Sequence, residues 1–116
     1  MEPDEAARRS LPPSSRWKLL GGWYDHIEWS DRESYHYVYE ASDEVSGDEL
    51  TQLVLYNMDD CGVVDDRALA EPVAVGGYVF PAASARRRCV GDEAQWREVV
   101  YDEKQHLILV VEGVDD

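Results

Sequence analysis

Leu107, Ile108, Leu109, Val110 and Val111 are five consecutive apolar residues between His106 and Glu112. Successive side chains of a strand point to opposite faces, so a strand with this run needs apolar cover on both sides. The run is too short to span a membrane, which takes about 18 or more apolar residues. It therefore reads as the central strand of a layered protein. Residues 95–101 precede it across the polar break 102–105, and the two segments read as a hairpin.

Alternation recurs near the start of the chain. Trp23, Ile27 and Trp29 fall at alternate positions, as do Tyr35, Tyr37 and Tyr39 after a polar break at 30–34. These two runs predict an antiparallel hairpin with an aromatic core face. With residues 30–34 as the loop, Trp29 faces Tyr35, Ile27 faces Tyr37 and Asp25 faces Tyr39. Asp25 then lies on the core side, where a tyrosine hydroxyl is a suitable partner for its carboxylate.

The middle of the chain is mixed. Ser46 to Glu49 fits a capping box and Leu50, Leu53 and Val54 have helical spacing, yet residues 53–56 are rich in strand formers between segments that read as strands. Segment 47–58 is read as a strand. Residues 65–71 fit one or two helical turns before Pro72, residues 72–80 a strand broken at Gly76 and Gly77, and residues 82–89 a short helix or basic loop. The expected fold is mainly β, a small antiparallel barrel or sandwich of about 5–6 strands with one or two short helices. Residues 1–15, polar and without apolar periodicity, are expected to form a disordered tail, residues 16–113 a single domain, and residues 114–116 an acidic tip.

Charge bounds the function. Across 116 residues, 25 acidic side chains face 11 Lys and Arg, a net charge of −14. Such a chain repels phosphate backbones and anionic lipid, so neither direct nucleic-acid binding nor membrane binding is expected. The same field attracts a basic protein. From Glu33 through Asp66 there is no Lys or Arg, while Glu33, Glu40, Asp43, Glu44, Asp48, Glu49, Asp59, Asp60, Asp65 and Asp66 supply ten acids. This band is the expected partner-binding surface. Arg86, Arg87 and Arg88 are its counterweight, either paired with the protein's own acids or docking an acidic segment of a partner.

No glycine-rich phosphate loop, metalloprotease helix or nucleophile elbow is present. The expected function is that of a non-enzymatic acidic binding protein, an inhibitor, immunity or regulatory factor that engages a basic surface of a larger protein, with nucleic-acid mimicry by the acidic band as one form of this, and without cofactor. Two alternatives remain open. In the register above, His26, Glu28 and His36 share the second face of the first hairpin, a set able to hold a divalent metal or to do acid–base work. A β-barrel holding a small apolar ligand is the other. Cys61 and Cys89 lack the spacing of a zinc site and read as small core residues of a reduced compartment, with a single bridge as the other arrangement. The expected address is cytoplasmic, with a host nucleus also open.

Overall fold

A computed structural model describes residues 11–12, 14–26, 33–56, 58, 61–91 and 95–114. The elements are β1 (Trp17–His26), β2 (Glu33–Ala41), α1 (Gly47–Leu55), β3 (Val64–Asp65), β4 (Val73–Val75), β5 (Tyr78–Phe80), β6 (Ala85–Val90), β7 (Gln95–Asp102) and β8 (Leu107–Val114). Six strands form one antiparallel sheet in the order β1-β2-β8-β7-β6-β3, and β4 pairs with β5 in a separate hairpin. The sheet is open, with β1 and β3 at its edges, so the layered sandwich-like alternative holds and the closed barrel does not. No helix among the described residues is long and apolar enough to cross a membrane.

β8 lies inside the sheet, and residues 107–111 are all buried, as a run apolar on both faces requires. On one face Tyr37, Tyr39, Val99, Tyr101, Ile108 and Val110 pack with Leu50, Leu53 and Val54 of α1. On the other, Val38, Val100, Leu109 and Val111 pack with Phe80 of β5 and with Trp23, Val73 and Tyr78. The sheet is thus the middle of three layers. Gly76, at φ +56° in the β4–β5 turn, lies against Trp23; an added Cβ would come within 1.8 Å of that indole.

Segment 47–55 is helical, which corrects the strand expected over 47–58. The Ser46 hydroxyl accepts from the Glu49 amide at 3.1 Å, and the Glu49 carboxylate accepts from the Ser46 amide at 3.3 Å. That cap, acidic residues in the first turn and the stripe Leu50, Leu53 and Val54 outweigh the strand formers at 53–56. The chain turns extended at Tyr56. Residues 65–71 contain no helix, because Val64 and Asp65 pair with Cys89 and Arg88. Residues 85–90 are a strand, not a helix or loop, paired along β7.

The first hairpin has a different register from the expected one. Asp25 stands opposite Ser34 and is exposed, instead of facing Tyr39 in the core. The shift is an odd number of residues, so the two faces exchange. β2 is placed by its ladder with β8, where Tyr37 meets Val110 and Tyr39 meets Ile108. β1 adjusts through an irregularity between Leu19 and Gly21, and Gly22 falls opposite Tyr37, where a Cβ would press on the ring at 3.1 Å. Ile27 and Trp29, expected on the core face, lie outside the described residues.

Cys61 and Cys89 form a disulfide with Cα atoms 5.9 Å apart, correcting the reading of two free thiols. The packed body also reaches into the expected tail. Leu11 is buried in the helix-side core, and the Pro12 carbonyl accepts from Trp17 Nε1 at 3.0 Å.

Candidate functional site

One register line crosses the helix-side face of the whole sheet. Tyr24 pairs with Tyr35, Tyr35 with Glu112, Glu112 with Arg97, Arg97 with Cys89 and Cys89 with Val64. Its centre is Arg97, 1% exposed. Nε and Nη2 of Arg97 donate to the Leu53 carbonyl of α1 at 3.1 and 3.0 Å, Nη1 donates to the Glu112 carboxylate, and the guanidinium lies 5.9 Å from the Tyr56 ring centre. The guanidinium thereby adds two donors to a helix C-terminal carbonyl that also accepts from the Tyr56 amide at 3.3 Å. Burial lowers the Arg97 pKa while Glu112 pulls it back up; burial raises the Glu112 pKa against the pull of Arg97.

Toward β1 this line becomes aromatic and accessible. The Tyr24 and Tyr35 rings lie 4.9 Å apart, and Tyr35 stacks on Tyr37 at 6.5 Å with planes 4° apart. Tyr24 is 52% exposed and Tyr35 41%. α1 packs on β6 and β7, leaving these rings beyond its cover. Carboxylates flank them: the Tyr24 hydroxyl hydrogen-bonds Glu33, and Glu112 stands opposite Tyr35. Burial, with Glu112 adding to it, pushes the Tyr37 phenol up to about 12.

The three arginines at 86–88 alternate between faces. Arg86 pairs with Glu98 and, at 3.5 Å, with Asp65; Arg88 lies 3.7 Å from Glu98 and 4.8 Å from the Trp96 ring centre. Arg87, on the opposite face, donates to Thr51 Oγ1 at 3.1 Å and to the Gly47 carbonyl at 3.4 Å, fastening α1 to β6. Of the two readings of this triplet, internal pairing is the one these contacts display.

The acidic band is divided. Asp43 and Glu49 are paired with Arg16, whose guanidinium also donates to the Glu44 carbonyl at 3.1 Å. Hydrogen bonds from Arg16, with help from Ser46, lower the Glu49 pKa. Asp65 is held well below the usual carboxylate range by Arg67, 2.8 Å away, and lies on the far edge strand. Glu40 stands opposite Lys18 in the β1–β2 ladder. Glu44, Asp48 and Asp66 are exposed and make no ion pair among the described residues. Glu44, Glu103 and Asp102 all act on the Tyr101 phenol, whose pKa is raised chiefly by burial, so these acids gather at the end of the sheet where β7 turns into β8. Asp59 and Asp60 lie outside the described residues.

The metal set loses its geometry. His36 pairs with Trp23, whereas position 26 pairs with Glu33, and the two histidine positions fall in opposite alternation sets of the hairpin. Glu28 lies outside the described residues. Among the described residues no group of three or more His, Cys, Asp or Glu side chains is placed to hold a metal ion. His36 is half-buried, and desolvation lowers its pKa against the opposing charges of Asp25 and Glu98. For the ligand-barrel alternative, an open sheet with both faces packed provides no barrel interior. A cavity of about 400 Å³ lies instead at the sheet end, where Asp102, Glu103 and Lys104 contribute to its wall.

No family model, curated protein or solved structure matches this chain. Sequence reasoning missed the Arg97–Glu112 pair. Its signal was the C-terminal hairpin, in which an Arg at the inward alternation of 97, 99 and 101 meets the acid that closes the apolar run.

Proposed function

We propose that this chain is a non-enzymatic acidic binding protein that engages a basic surface of a larger protein, as an inhibitor, immunity or regulatory factor would. The observation that carries the reading is the division of charge. Every described arginine is tied to the protein's own carboxylates, carbonyls or rings, while Glu44, Asp48, Asp66 and Glu103 face solvent. The described arginines other than exposed Arg67 tie elements of the fold together, and much of the net charge of −14 is left outward. A surface of this kind speeds encounter with a basic partner and weakens as salt screens it. The same charge opposes a nucleic-acid or anionic-membrane partner.

The Cys61–Cys89 bridge is the feature that bears on compartment. A structural disulfide persists where thiols are oxidised, so it supports an oxidising address over the reducing cytoplasm. The deciding experiment immobilises the domain, captures proteins from source extract at low salt, and takes the captured protein into calorimetry. A basic protein binding with one-to-one stoichiometry, weakened by salt and by Glu44→Gln with Asp48→Asn and Glu103→Gln, is the expected result. Binding indifferent to salt and to the triple variant overturns the reading.

A further inference from the structure

We infer that Tyr24 and Tyr35, flanked by Glu33 and Glu112, form the seat for an arginine side chain of the basic partner; this rests on the binding reading above and names where a guanidinium is taken. Two large rings stay 52% and 41% exposed on the sheet face where the neighbouring Tyr37 and Tyr39 are buried. Their tilted contact at 4.9 Å makes one continuous aromatic shelf, and buried Tyr37, two residues along β2 on the same face, stacks beside Tyr35. Tyrosine presents a large, rigid contact area with few torsions to freeze, which suits an interface anchor.

Charge selects the occupant. A cation is drawn to the negative face of an aromatic ring, and a carboxylate at the ring's margin adds a hydrogen-bond acceptor for it. The shelf has Glu33 at the Tyr24 end as the carboxylate for the incoming cation, while Glu112 opposite Tyr35 is held by Arg97. The same three-part arrangement recurs inside this protein. Arg97 lies over Tyr56 and pairs with Glu112, Arg88 lies over Trp96 beside Glu98, and Arg16 lies over Trp17 while pairing with Asp43. A planar guanidinium can stack on the shelf and donate to a carboxylate at once, whereas an ammonium cannot stack. β1 is the edge strand, so an extended segment can approach from the side as well as from above. Arginine is therefore favoured over lysine.

The test uses the whole chain, tetraarginine and tetralysine peptides, and NMR spectra of both the backbone amides and the tyrosine ring carbon–proton groups. Tetraarginine is expected to move the Tyr24 and Tyr35 ring signals, and to bind more tightly than tetralysine. Tyr35→Ala is expected to weaken tetraarginine about five-fold, the scale of one exposed cation–π contact, while Tyr24→Phe retains binding. The Glu44→Gln, Asp48→Asn, Glu103→Gln variant separates the two readings, because it leaves the ring shifts in place. Shifts confined to the neighbourhood of Glu44 and Asp48 would overturn the seat and leave the acidic-surface reading standing. No response to either peptide would remove both. Should Tyr35→Ala fail to fold, the wild-type ring shifts and the arginine-to-lysine comparison still decide.

Discussion

The guanidinium of Arg97 reaches from β7 to the carbonyl oxygen of Leu53 through two donors, at 3.1 and 3.0 Å, and so joins the sheet to the last turn of α1. Glu112 balances its charge from the neighbouring strand. Arg97→Met is expected to destabilise the domain by about 3 kcal/mol, since it leaves the Glu112 carboxylate without its cation and takes two donors from the Leu53 carbonyl, which keeps the Tyr56 amide. Urea unfolding measures the loss. A cycle with Glu112→Gln is expected to show coupling above 1 kcal/mol, and additivity would mean that the pair contributes nothing beyond its separate contacts.

His36 sets a pH dependence whose direction follows from its surroundings. Desolvation makes the charged imidazole less favourable in the folded state than in the unfolded chain, where the reference pKa is 6.5. The unfolded state then binds more protons between the lowered folded pKa and 6.5, so stability contributed by neutral His36 is fully present above that reference and is lost as pH falls through the folded pKa. Urea midpoints taken from pH 7.5 down to 5 are expected to fall, and His36→Gln is expected to flatten that part of the slope. An unchanged slope in the variant would assign the effect elsewhere.

Reduction of Cys61–Cys89 is expected to lower stability by about 3.5 kcal/mol, the loop-closure value for a sequence separation of 28. Thermal unfolding with and without reductant, beside a Cys61→Ser, Cys89→Ser variant, checks this. Matching losses in the reduced wild type and the variant would place the effect in the covalent link. A loss in the variant alone would place it in the packing of buried Cys89.

Gly76 and Gly77 adjoin in one turn, both with positive φ, but only Gly76 lies against Trp23. Gly76→Ala is expected to cost about 2 kcal/mol or more, from the left-handed backbone and the displaced indole together. Gly77→Ala has nothing within 4 Å of the added carbon and is expected to show the backbone part alone. Trp23 fluorescence should shift in the first variant and not in the second.

Elements with a purely local signal were legible in the sequence. The run 107–111 announced a buried central strand, Gly76 and Gly77 marked a real turn, and the acid-flanked break at 102–105 marked a real hairpin. The helix was also written there, as a capping box, but the strand formers at 53–56 masked it because short apolar runs fit both periods. What failed was register. The apolar alternation of the first run goes on in the sequence through Ile27 and Trp29, so nothing local fixes the alignment, which is set by contacts of Tyr37 and Tyr39 with β8. The tyrosines of the proposed seat could be seen, but their neighbours depended on that register and could not. The histidine set was drawn from the wrong alignment, and Arg97 was passed over because a buried cation has no sequence motif of its own.

The disulfide closes a ring from residue 61 to residue 89, and the β4–β5 layer lies wholly within it, while α1 and the four strands β1, β2, β7 and β8 lie outside. A protease that cuts the exposed turn at Gly76 and Gly77 would therefore open the ring without releasing a fragment. The nicked protein would keep its mass on a gel until a reductant was added, so this surface can be worn by proteolysis while the domain stays in one piece.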